Sequence, residues 1–334
     1  MLRHSSDSEP GFSRKRTGRY WAYFDGEKRV TDRSTIDRLN SIALPPAYKD
    51  AWFCKDPDGH LQATGIDDRG RKQYRYHLDF RAKAEASKFA GLSEFGSALP
   101  KIRRKVDKDL KKRALSKDKV VAAVVRLLDD EYLRVGNQAY ARENKSFGAT
   151  TLLSRQVHDD GRKVRMRFKG KSGVAHEVTI TDRTLRRIVR QLQELPGQPL
   201  FQYVNGDGNP HHVTSSDVND FIRDATDGEF TAKHFRTWGA SVIAFEQLMH
   251  REEAKRISVN TMIEPVAEAL GNTVAMSRKA YVHPALIEAV KERPRDPLNG
   301  MERPRPRKWL SECEVGLIKF LAKTSKRRRK NAAA

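Results

Sequence analysis

The hydrophobic period of this chain changes once, near Pro100, and that change limits the fold more than any single motif. Before Pro100, apolar and aromatic residues alternate over short runs; after it they recur with a period of about 3.6. Such a chain builds a small sheet-based module and then a mainly helical one, an α+β protein. The 334 residues suffice for both and for a sizeable core.

Residues 1–17 are polar and end in Ser13-Arg-Lys-Arg-Thr17, which reads as a flexible basic tail. Aromatics alternate around Asp25-Gly26 between Arg19 and Val30, the mark of a hairpin. A short helix is predicted over Asp32–Ser41, capped at Asp32 or Ser34. A second hairpin turns at Pro57-Asp-Gly59, a further strand covers Gln73–Tyr76, and Phe80–Leu92 turns helical. These place a β-rich module at 18–95 and a mainly helical one at 101–290. A Pro/Arg-rich linker, a helix from Trp309 to Ala322 and a solvated basic tail at Ser325–Lys330 complete 291–334. One stretch of the helical part alternates with period two instead: Lys163–Lys169 and Val174–Ile180 form a hairpin with Lys171 at its tip.

The charge narrows the partner. Lys and Arg number 65 against 43 Asp and Glu, a net +22, which predicts affinity for a polyanion. No apolar run approaches the roughly 18 residues of a membrane span, and the start lacks the apolar stretch of a signal peptide. Cys54 and Cys313 lie far apart and fit neither a disulfide framework nor a zinc site, so a reducing cytoplasm is the expectation.

Gly170-Lys171-Ser172 resembles the end of a phosphate-binding loop. However, Arg165 stands where that loop needs glycine, and a strand follows where it needs a helix. Lys171 is then either an ordinary turn residue or a lysine carried into a site. Arg134 follows a long apolar helix, where a surface role is the simpler reading. Lys233 and Arg236, three apart on one helical face, either lie in solvent or share an anion such as phosphate. Asp129, Asp130 and Glu131 are consecutive helical positions whose side chains fan outward, and His211-His212 lack metal-ligand spacing, so no metal site is expected. Tyr281 sits where one helical segment ends after Gly271 and Leu270 and another starts at His283-Pro284, a break that can present a phenol.

Together these motifs, in this order over roughly residues 18–290, resemble a type IB DNA topoisomerase of the compact poxvirus-like kind found in bacteria. By that resemblance Tyr281 is the nucleophile, and Arg134, Lys171, Arg236 and Asn272 complete the catalytic set, with Lys233 near the phosphate. Asn272 stands where poxvirus enzymes have His. An amide cannot pass a proton, but it can donate a hydrogen bond to phosphate. Arg71, Gln73, Tyr74 and Tyr76 match a segment lying in the major groove, and Tyr140 another DNA contact. The alternative for the two tyrosines is mutual packing on one strand face. The resemblance implies a recombinase-like catalytic fold and relaxation of supercoiled duplex DNA through a 3′-phosphotyrosyl link. It also implies no ATP, metal or other cofactor, and a monomer closing on DNA as a clamp in the cytoplasm, with the nucleoid. The rivals are a tyrosine recombinase, which usually shows His where Lys233 stands and has an all-helical first domain, and a non-catalytic DNA-binding protein.

Overall fold

The computed structural model describes the chain apart from residues 1, 19, 69, 206–207, 252–254 and 333–334, and gives only the backbone at 84–87 and 327–332. Contacts divide it into two units, Met1–Ala90 and Gly91–Ala334.

The first unit is an antiparallel sheet. Its strands are β1 (Phe12–Thr17), β2 (Tyr20–Asp25), β3 (Lys28–Arg29), β4 (Lys49–Phe53), β5 (Leu61–Ile66) and β6 (Lys72–Tyr76), ordered β3-β2-β1-β4-β5-β6. Helix α1 (Arg33–Ser41) starts at Asp32, whose carboxylate accepts from the Thr35 N–H at 2.7 Å. Its Leu39 packs with Leu44, Tyr23, Phe53 and Ala63 into the core of the unit. Helix α2 (Leu78–Ala90) follows β6 directly.

Two expectations fail here. Residues 3–17 do not form the tail expected of the first 17. Phe12–Thr17 is a central strand, and residues before it strap the sheet: the Arg3 N–H donates to Asp58 O (2.9 Å), the His60 N–H to Arg3 O (2.8 Å) and the Trp52 indole to Glu9 O (2.9 Å). The strap is held by backbone pairing and by buried polar groups such as Ser5, so its polar composition conceals it. Pro100 is likewise no boundary. It lies inside α3 (Leu92–Leu110), where the missing N–H is outweighed by the buried face Leu92, Phe95, Leu99, Ile102, Val106 and Leu110.

In the second unit α3 packs on α4 (Lys117–Glu131), which is buried without a break from Lys119 to Val125 and again at Leu127 and Leu128. Then come α5 (Gln138–Asn144), the sheet β7-β8-β9 (Val157–Asp159, Val164–Lys169, Ala175–Ile180) and α6 (Arg183–Gln193). The hairpin read from the sequence is β8-β9, with β7 as an unforeseen third strand. A small ribbon, β10 (Gln202–Val204) with β11 (Pro210–His212), leads to α7 (Ser215–Thr226), α8 (Ala232–Met249), α9 (Val259–Leu270), α10 (Val274–Ala280), α11 (Pro284–Glu292) and α12 (Glu312–Ala332).

Helix α12 is longer than expected and runs through the stretch read as a solvated tail. Its first turn is anchored: Arg103 of α3 pairs with Glu314 (2.8 Å) and with Asp129 (2.7 Å), and the Trp238 indole donates to Glu314 (3.1 Å). Asp129 therefore points inward to Arg103, so the acidic run does not simply fan out. Removing Glu314 leaves Arg103 with Asp129 alone and deprives the buried Trp238 indole of its acceptor. Glu314→Ala is expected to lose about 1–3 kcal/mol, read from denaturant unfolding beside the unsubstituted protein.

Candidate active site

Four of the sequence-selected residues meet in the second unit. Arg134 leaves the end of α4 through Tyr132, whose backbone is left-handed. Its backbone is pinned by the segment after α5, where the Ala149 N–H donates to Arg134 O at 2.8 Å. Gly148 permits this approach, since a Cβ there would stand 2.5 Å from that same oxygen. Arg236 projects from the first turns of α8 and is 4% exposed. It donates from Nη1 to Tyr132 O and from Nη2 to Leu270 O (3.2 Å), while its buried Nε has no partner among the described residues.

Asn272 follows Gly271, which ends α9 in the left-handed conformation (φ 61°) that glycine adopts without strain. Tyr281 caps α10, its N–H bonded to Ser277 O at 3.0 Å. Pro284 then opens α11 with His283 as its cap, as the sequence suggests. Ser241 of α8 ties this break down: its oxygen accepts from the His283 N–H (3.0 Å), and its one proton, directed first at Thr237 O (2.9 Å), also lies within reach of Tyr281 O (3.4 Å). One helix therefore supplies Arg236 and also grips the backbone that carries the phenol.

Arg134 Nη2 donates to Asn272 Oδ1 at 3.3 Å and to the Tyr281 hydroxyl oxygen at 3.4 Å. Because Oδ1 must face that donor, the amide orientation is set, and among the described residues the buried Nδ2 is left without a partner. The Arg236 guanidinium lies over the Tyr281 ring, 5.1 Å from its centroid. Burial pushes the phenol up, but Arg236 and Arg134 more than offset it, and its pKa is held below the usual tyrosine range. Arg236 itself is pushed down to about 10, by burial first and then by Arg134, and it stays charged at neutral pH.

Lys171 is exposed at the β8-β9 tip and lines one groove with Arg134 and Tyr140. Lys233 is exposed on the first turn of α8 while Arg236 is buried, so the two do not share a solvent face.

The first unit gathers a second group. Asp67, 9% exposed, accepts from Arg71 Nε and Gln73 Nε2, each at 2.9 Å. Tyr74 and Tyr76 are exposed and stack on each other, ring centroids 6.2 Å apart, on the outer strand β6. They pack together, yet they remain an open aromatic face. Sequence reasoning did not single out Asp67, although a carboxylate just ahead of a basic strand was the available sign.

A phenol with a depressed pKa, flanked by two guanidiniums and an unpaired amide donor, is equipped for phosphoryl transfer through tyrosine. Family comparison agrees. The model of the eukaryotic DNA topoisomerase I catalytic core matches residues 77–299, and that of the bacterial DNA topoisomerase IB N-terminal domain matches residues 20–67. DNA topoisomerase 1B of Acanthamoeba polyphaga mimivirus is 34% identical over 285 residues, covering 81% of this chain and 84% of that protein. DNA topoisomerase 1B of vaccinia virus (strain Copenhagen) is 21% identical over 278 residues, covering 78% and 84%. Among solved structures, the XerH site-specific recombinase bound to palindromic difH substrate overlaps 58% of this chain and 50% of its own, with 18% identity and a TM-score of 0.36. At that score the likeness says nothing of chemistry. The chain belongs to the type IB DNA topoisomerases, of the poxvirus-like kind. It is an isomerase that acts on duplex DNA and relaxes it by tyrosine transesterification. Among the described residues, no helix is long and apolar enough to cross a membrane.

Proposed function

We propose that Tyr281 is the nucleophile of this reaction and that Arg134, Arg236, Asn272 and Lys171 assist it. The phenol oxygen attacks a DNA phosphorus, its proton passes to water, and the bond to the 5′ oxygen breaks. A 3′-phosphotyrosyl link and a 5′-hydroxyl strand result. Charge gathers on the non-bridging oxygens, where Arg134, the free N–H groups of Arg236 and Asn272 Nδ2 receive it. A 5′-alkoxide is a poor leaving group, and Lys171 at its exposed tip supplies the proton, with Lys233 assisting. The 5′ oxygen reverses the sequence after the free strand has turned. The link conserves the bond, so neither ATP nor a metal is consumed.

The observation that carries this reading is Arg134 Nη2 reaching both Asn272 and the Tyr281 hydroxyl beside a second buried guanidinium. Arg71, Gln73, Tyr74, Tyr76 and Tyr140 are proposed as DNA contacts, with the protein acting as a monomer on the nucleoid. Cys54 and Cys313 are buried free thiols, which suits a reducing compartment.

The test is relaxation of an arbitrary supercoiled plasmid in a chelator, without ATP. Relaxation is expected to proceed, and DNA affinity to fall by about 10³-fold or more between roughly 50 and 200 mM salt. Peptide mapping of the adduct on a nicked suicide duplex is expected to find DNA on Tyr281. DNA on another residue would refute the assignment.

A further inference from the structure

We propose that His176 is the positioning residue that docks the Lys171 hairpin against the loop carrying Asn272. Its ring stands between the two glycines that precede those residues. A Cβ on Gly170 would lie 2.5 Å from His176 Cδ2 and 2.6 Å from Nε2, and one on Gly271 would lie 3.0 Å from Cε1. Both sites of contact are thus pared to glycine around the same imidazole. On its third side the ring stacks on Phe168, centroids 5.4 Å apart and planes 14° from parallel. Among the described residues it makes no hydrogen bond, so packing holds it. Through this wedge the tip of β8-β9 is fixed one residue before Lys171 to the end of α9 one residue before Asn272. A proton donor misplaced by about 1 Å can lose about 10²-fold in rate, which makes such a contact consequential.

Arg134, at the end of α4, and Arg236, on α8, are the charges that act most on the ring, and Gly271-Asn272 brings none; Lys145, after α5, and Lys169, on β8, line the same pocket as the ring. Arg167 and Glu177 of the same hairpin pair with each other at 2.9 Å on the opposite side of their strands. Burial first, and then the two arginines, push the His176 pKa below the usual histidine range. The docked ring is neutral. As pH falls through that lowered value, a third cation forms beside the two arginines and the hairpin is driven off.

This rests on Lys171 being the proton donor, and single-turnover cleavage of a suicide duplex separates the two claims. His176→Ala is expected to slow cleavage by about 10–100-fold with DNA binding retained. In a Lys171→Ala background the same change is expected to cost no more than about threefold, because both act at one step. His176→Gln, planar at its tip and uncharged at every pH, is expected to restore most of the rate and to lack the histidine step on the acid side. Unchanged cleavage by His176→Ala overturns the proposal, as do additive losses in the double variant or an acid limb that His176→Gln leaves intact. Should His176→Ala not fold, the pH profile of His176→Gln decides. If the unsubstituted protein forms no adduct at Tyr281, the reading of the whole site fails. An adduct formed equally with and without His176 removes this inference alone.

Discussion

Tyr281→Phe is expected to bind supercoiled DNA as tightly as the unsubstituted protein and to relax none of it. The change deletes one oxygen. That oxygen accepts the long bond from Arg134 at 3.4 Å, while the backbone of the break is secured through Ser241 and Ser277. Folding and affinity should therefore survive. Cleavage should fall by about 10⁴-fold or more, the scale seen when a covalent nucleophile is removed. A band shift and a plasmid relaxation assay on the same preparation check both halves. Residual relaxation near the normal rate would mean that another group attacks.

Arg236→Lys is the second large effect, although the charge is kept. The guanidinium bonds two backbone carbonyls, Tyr132 O and Leu270 O, while lying over the Tyr281 ring. An ammonium is a point charge without that planar fork, and it cannot fill all three roles. Cleavage is expected to drop by about 10²–10³-fold, the usual loss of one charge-stabilising donor. The orphaned carbonyl is expected to cost about 1–3 kcal/mol of stability. A pH signature should accompany both. The phenol is held down by Arg236 and Arg134 against burial. Weakening the stronger of these two influences lets its pKa rise, so the limb on which cleavage speeds up as the phenol loses its proton should move to higher pH. Single-turnover rates across pH, with the folded fraction followed by circular dichroism, test the pair of claims.

How much of this was legible beforehand depended on which force shaped each part. The β8-β9 hairpin and the break at Tyr281 could be read directly, because strand alternation, Gly271 and Pro284 act locally. The strap over residues 3–9 could not, since backbone pairing leaves no hydrophobic pattern. Pro100 misled for the opposite reason: a local rule was overridden by a continuous buried face in α3. In the site, spacing alone left Lys171 as an ordinary turn and Arg134 as a surface charge. Only the resemblance of separated motifs drew them together, because the residues that meet come from the end of α4, the start of α8 and both sides of α10. His176 passed as one more alternating strand residue, for its partners are glycines distant in sequence. Asp67 was hidden similarly, its role visible only once Arg71 and Gln73 converge on it.

The resting centre is electrically and geometrically unfinished. Arg236 Nε and Asn272 Nδ2 are buried and, among the described residues, have no hydrogen-bond partner. A protein selected for durability alone would have filled these places with hydrocarbon or closed the circuit internally. On the proposed reading these donors favour an incoming group with several acceptors on one atom, so part of the grip on the reacting backbone comes from the tension of polar groups that the fold leaves unsatisfied. Variants that relieve that tension should make a sturdier protein and a poorer swivel.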